Sequence, residues 1–197
     1  MSGFIRRVVA GHDQNGRAVV LSDGIAPHLK TNPLRPGHRS SDIWKTGALP
    51  VIIKAGEDDP TLQGPRTIHP PKGGTVLRIA ELQPESEEIR NLSPEKAREV
   101  FAAAGNANAA QFGKGGRHPM MHRTESLDYA VVLEGEITLV LDDEDVQLKA
   151  GDVVIQRGNS HAWSNRSGKV CRMLYVLIDG QFDEQLAGWF GKDDGGH

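Results

Sequence analysis

Residues 116–135 read GRHPMMHRTESLDYAVVLEG, and residues 151–165 read GDVVIQRGNSHAWSN. Residues 129–133 form a β-prone run that breaks at Glu134-Gly135. Ile137, Leu139 and Leu141 then alternate with Glu136, Thr138 and Val140, the period-2 pattern of a strand with one buried face. An acidic turn at 142–145, a short run at 146–148, a turn at 150–152 and a run at 153–156 follow. Residues 157–160 turn, 161–165 extend, 166–169 turn and 170–178 extend again. Turns roughly every 8–12 residues between alternating runs predict an antiparallel sandwich or barrel.

The residues able to carry chemistry sit in the same two stretches. His118, Met120, His122 and Thr124 have one parity, so a strand here places all four on one face. His161, Trp163 and Asn165 share a face of a later strand, and Asp128 opens the run after the turn at 125–127. Two imidazoles from different strands plus a carboxylate form the set that holds non-haem iron with positions left open. The same imidazoles also suit plain hydrogen bonding inside a polar pocket. Trp163, Met120 and Met121 either line a substrate pocket or pack against the facing sheet. Cys171 lies on an apolar strand with no neighbouring base and reads as packing. The acidic run at 142–145 reads as a solvated hairpin tip. His12, His28, His38, His69 and His197 lie in turn-rich polar sequence and are expected at the surface.

This spacing resembles the cupin superfamily. Gly116, His122, Thr124, Asp128 and Gly135 fall at the intervals of that family's first motif, Gly-x5-His-x-His-x3-4-Glu-x6-Gly. Gly151, Gln156, Gly158, His161 and Asn165 follow its second, Gly-x5-Pro-x-Gly-x2-His-x3-Asn, one residue short. The likeness covers residues 116–178 and is similar to a group of small single-domain cupins. It implies a mostly β protein: a single cupin-type double-stranded β-helix, or jelly-roll barrel, over residues 74–180. An N-terminal hairpin and arm (1–73), a short helix inserted at about 94–104 and a C-terminal tail (181–197) complete the expected chain.

The resemblance also implies a divalent metal in the barrel mouth: iron, manganese, nickel or zinc. His122, His161 and Asp128 would hold it and carry catalysis, with Thr124, Trp163, Met120 and Gln156 on the substrate. The departures are specific. Thr124 stands at the family's second histidine, and threonine is a poor ligand for a transition metal. Asp128 is one methylene shorter than the family's glutamate, and Gln156 stands at the proline. His118 or Glu125 is the replacement ligand to consider. The implied function is a small-molecule enzyme with dioxygenase, decarboxylase or isomerase-like chemistry on an oxygen-bearing substrate. The alternative that Thr124 favours is a metal-free, non-catalytic ligand-binding or sensing cupin. A third reading is a metal-free lyase or isomerase, with His122 or His161 as general base and Asp128 orienting it.

Outside this region one helix is well signalled. Ser93 suits the N-cap and Pro94 the first helical position. Ala97, Val100, Phe101 and Ala104 make one apolar stripe, Gly105 is the stop, and the Ala-rich residues 102–110 could extend it. Asn15-Gly16 predicts a tight turn between β-prone runs at 5–10 and 17–21, a hairpin placed to add to a sheet edge. From 22 to 71 the prolines forbid long regular elements. Short apolar pieces at Ile43-Trp44 and 51–53 predict an ordered arm, with Trp44, Trp189 and Phe190 as docking anchors.

Composition narrows the class further. The 197 residues carry 23 Lys and Arg against 26 Asp and Glu, a formal net charge of -3, so no nucleic-acid partner is expected. Aromatics at 5% argue against base-stacking platforms. Mean hydropathy is -0.43 and no apolar run approaches a membrane span. A single cysteine excludes an internal disulfide or a Cys-based zinc cluster, and no nucleotide-cofactor fingerprint appears. The residues after Met1 show no secretory leader. A cytoplasmic homodimer acting on a small molecule is the expectation, the dimer because the arm's apolar groups need cover.

Overall fold

Alternating side chains become strands that close on themselves in two facing sheets. The computed structural model describes residues 5–191 apart from 28, 34, 57 and 58; His28 and His197 lie outside them. In chain order come β1 (Arg6–His12), β2 (Ala18–Ile25), β3 (Leu29–Asn32), β4 (Arg35–Thr46) and β5 (Thr75–Leu82). Two helices follow, α1 (Glu87–Arg90) and α2 (Pro94–Ala103). Then come β6 (Ser126–Glu134), β7 (Glu136–Val140), β8 (Asp145–Lys149), β9 (Val153–Arg157), β10 (Ala162–Ser164), β11 (Cys171–Asp179) and α3 (Glu184–Phe190).

The larger sheet has six strands in the order β3-β4-β5-β11-β6-β9, and the smaller has three in the order β10-β7-β8. Every pairing is antiparallel. The fold is a mostly β jelly roll. Its core sits between the sheets: Ala80 and Leu82 from β5, Ala130 and Val132 from β6, Ile137 and Leu139 from β7, Cys171 and Met173 from β11. Each pair is two residues apart, as a strand with one inward face requires. Cys171 is fully enclosed there, and burial pushes its thiol up to about 11. It packs and does not react. Gly135 turns β6 into β7 at φ +81, and a Cβ there would lie 2.7 Å from the Val170 carbonyl oxygen. Only glycine fits that corner.

The helix forms where its sequence signals put it. The Ser93 hydroxyl accepts from the Lys96 amide, and Ala97, Val100 and Phe101 are buried. The Ala-rich segment beyond it does not extend α2. Gly105 takes φ +91 and the Asn106 side chain caps a short 3-10 turn at Ala107–Ala109, which competes with helix continuation.

The arm differs from its sequence reading. β4 is 12 residues long and contains Pro36. That proline is tolerated because pairing with β5 begins only at Arg39, so no ladder bond is lost there. β3 and β4 thus extend the main sheet. The hairpin β1–β2 does not join that edge but forms a sheet of its own. Arg7 ties it down by donating to the Ile43 carbonyl oxygen at 3.2 Å and to the Asp59 carboxylate. The ladder with β5 holds β4 on the barrel, and charge pairs reinforce it. Glu81 accepts from Arg39 at 2.5 Å and from Arg172 at 2.8 Å. Asp42 is shared by Arg66 at 3.0 Å and Arg78 at 2.6 Å. At the far end Phe190 of α3 meets Phe182 edge-on and lies under the Arg123 guanidinium, whereas Trp189 is 68% exposed.

Candidate active site

A cavity of about 350 Å3 lies between the inner face of the six-stranded sheet, α2 and the 118–124 segment. His122 and His161 stand in its wall beside each other, and the backbone puts them there. The His122 amide donates to the His161 carbonyl oxygen at 2.9 Å, and the His161 amide returns the bond at 3.0 Å. This isolated antiparallel bridge holds the ring centroids 4.4 Å apart. The rings continue a row: Phe101 lies 5.1 Å from His122, and Trp163 meets His161 edge-on at 5.8 Å.

The tautomers follow from the partners. His122 Nδ1 lies 3.1 Å from the Met120 carbonyl oxygen, and His161 Nδ1 lies 3.0 Å from the Asn159 carbonyl oxygen. A carbonyl only accepts, so each Nδ1 carries the hydrogen and each Nε2 keeps its lone pair. Burial, reinforced by the neighbouring His161, pushes His122 down to about 3. Burial likewise takes His161 down to about 4, against the bond to Asn159. Both rings are neutral at physiological pH.

Asp128 lines the same cavity from β6. Burial raises its carboxyl to about 6, partly offset by the Ser126 hydroxyl and Arg78. Its Oδ1 is buried with no hydrogen-bond partner. Thr124, Met120 and Trp163 also line the cavity, with the Thr124 hydroxyl 2.9 Å from that of Ser126. Gln156 does not. It is buried on β9, paired with Asp128 across the ladder. His118 shares no face with His122, because residues 118–121 turn and do not form a strand. Its Nε2 lies 2.8 Å from Glu85 instead. Glu125 accepts from the Phe182 amide at 2.5 Å. Neither replacement ligand faces the cavity.

Sequence reasoning missed a cationic wall. Lys30, Arg35, Arg66 and Arg78 line the cavity, with His38 and Tyr175. His38 was expected at the surface; its ring is enclosed, and burial together with Arg35, Arg66 and Arg78 pushes it down to about 3. Arg78 carried a legible signal, since it shares parity with the inward-facing Ala80 and Leu82. Arg35 and His38 carried none, because only the long-range pairing of β4 brings them here.

Residues 110–177 match the family model described as a cupin domain. "Phomopsin biosynthesis cluster protein C'" of Diaporthe leptostromiformis is 32% identical, over 95% of this chain and 88% of that protein. "Cupin-domain-containing oxidoreductase fogC" of Aspergillus ruber is 31% identical, over 88% of this chain and 71% of that one. The chain belongs to the cupin family. A shorter likeness, 44% over 30% of this chain and 32% of the other, runs to "Cupin-domain-containing oxidoreductase virC" of Hypocrea virens.

Cupin resemblance raises the matter of a metal. The donor set offers two neutral imidazoles with open Nε2 atoms, the form a metal needs. A third ligand is not in place. Among the described residues no three His, Cys, Asp or Glu side chains converge as a metal centre, and Thr124 turns its hydroxyl to Ser126. The residues present do not fit a three-ligand centre. No helix of the described residues is long and apolar enough to cross a membrane.

Proposed function

We propose that this cupin is an enzyme that moves a proton on a small oxygen-bearing substrate held in the cavity, with Asp128 as proton carrier and His122 and His161 as orienting partners. One observation carries the reading: a buried carboxyl held near 6, with an unpartnered oxygen, in the same cavity as two imidazoles whose Nε2 lone pairs are open. A general acid–base group works best with a pKa near the working pH. Asp128 meets that condition. The imidazoles, at about 3 and about 4, are too weakly basic to take a proton at pH 7. They suit accepting hydrogen bonds from a substrate hydroxyl. Thr124, Met120 and Trp163 shape the pocket around it. Two relatives bear the name oxidoreductase, and any oxidation of a hydroxyl carbon includes the proton removal assigned here to Asp128.

The test is turnover of a panel of hydroxy and keto compounds in heavy water, read by mass spectrometry for product and for solvent deuterium at carbon. Asp128→Asn is expected to lower the rate by about a hundredfold or more. The wild-type rate should rise through an apparent pKa near 6. Equal rates for wild type and a folded Asp128→Asn would overturn the assignment. A protein that binds members of the panel and turns over none is the non-catalytic binding cupin.

A further inference from the structure

The cavity's second wall comes from the arm, outside the matched residues 110–177. Arg35 and His38 flank the Pro36-Gly37 step, just before β4 begins to pair with β5 at Arg39. Arg35 is half-buried, yet among the described residues its guanidinium has neither a hydrogen bond nor an ion pair. The carboxylates around it are taken. Asp42 is bound by Arg66 and Arg78. Glu85 accepts from Ser164 at 2.9 Å and faces His118 Nε2 at 2.8 Å. Asp128 lines the same cavity but is not among the groups that act on Arg35, which are Tyr175 and Glu85.

A guanidinium keeps its charge at any physiological pH, and removing it from water without an anion is unfavourable. The groups beside it are incomplete as well. His38 Nδ1 is buried without a partner, and the Tyr175 hydroxyl, on the same cavity, makes no hydrogen bond. The facing wall is apolar, with Val100, Phe101, Met120 and Trp163. One wall therefore asks for an anion with several acceptor oxygens, and the other for a hydrocarbon or aromatic body. A carboxylate presents two oxygens that match the guanidinium fork. A cavity of about 350 Å3 is the size of a small-molecule site.

We propose that Arg35, with His38 beside it, binds the carboxylate of an organic acid with an apolar body, and so sets the substrate class of the cavity. The proposal rests on the cavity being the substrate site. It adds that the arm, and not the barrel motifs, selects the substrate's charge.

The test is calorimetric titration with benzoate, phenylacetate and cinnamate against their primary amides at neutral pH. At least one acid is expected to bind about tenfold or more tighter than its amide, about 1.4 kcal/mol. Arg35→Gln should erase that preference by weakening the acid more than its amide, and Arg35→Lys should recover part of it. No preference in wild type, a preference that survives Arg35→Gln, or no binding of any acid up to about 10 mM overturns the proposal. The two readings fail separately. Arg35-dependent acid binding without Asp128-dependent turnover removes the enzyme role and keeps the carboxylate site. Asp128-dependent turnover of neutral compounds without an Arg35-dependent preference does the reverse.

Discussion

Replacing His161 by Asn isolates the electrostatics of the site. Asparagine keeps an amide hydrogen where Nδ1 donates to the Asn159 carbonyl oxygen at 3.0 Å, and it cannot titrate. In the unfolded chain the imidazole takes up a proton near 6.5; in the folded protein burial delays this to about 4. The folded state thus binds fewer protons than the unfolded state between those values, and stability falls as pH falls through that window. At about 1.4 kcal/mol per tenfold change in proton affinity, the full difference is worth about 3 kcal/mol. Between about pH 7.5 and about pH 5, roughly 2 kcal/mol of it is expressed. Asp128 acts with the opposite sign, since its raised value makes the folded state hold the extra proton as pH falls toward 4. It is present in both proteins, so its contribution cancels in the comparison. Urea unfolding at a series of pH values, followed by tryptophan fluorescence, gives the result. The loss of stability on acidification should be smaller in His161→Asn by about 2 kcal/mol over that range, whatever the offset at neutral pH. Parallel curves would show that the ring is reached by water and charges normally. The neutral, acceptor-bearing imidazole on which the site depends would then be wrong.

Two further outcomes are expected. Thr124→His places a third imidazole on the cavity beside His122 and His161. Zinc affinity by titration should tighten at least about tenfold, about 1.4 kcal/mol, and unchanged affinity in a folded variant would show that position 124 does not face the pair. Ile52 and Ile53 are 76% and 83% exposed, too much apolar surface for one short segment to leave uncovered; light scattering should give twice 21.4 kDa, and the monomer mass at every concentration would refute the dimer.

The barrel was legible because its signals are local. The alternation at Ile137 and Leu139, the turn at Gly135 and the cap at Ser93 each act within a few residues, and the folded chain obeys them. His122, His161 and Asp128 were found as one cavity set because two motifs carried them. Parity failed at His118 because Pro119 lies in a turn, where period-2 reasoning has no basis. Gln156 was placed by its motif position; as the ladder partner of Asp128 it shares that sheet face, but it sits on the edge strand β9 outside the residues that line the cavity.

The arm was illegible for a different physical reason. Its strands carry charge pairs between residues far apart in sequence, such as Asp42 with Arg78 and Arg39 with Glu81. Such pairs leave no periodic trace, and a proline in β4 reads locally as a break. Yet this segment supplies Lys30, Arg35 and Arg66 to the cavity wall, beside Arg78 of β5, while the motif-bearing segments supply His122, Asp128 and His161. The division follows from the chemistry each part can support. Strands with an apolar face enclose a carboxyl and two imidazoles and shift their proton affinities by desolvation. An unpaired guanidinium inside that face would oppose barrel closure. Placed at the first residue of β4, Arg35 lines the cavity from the arm, where the proposed carboxylate would complete it.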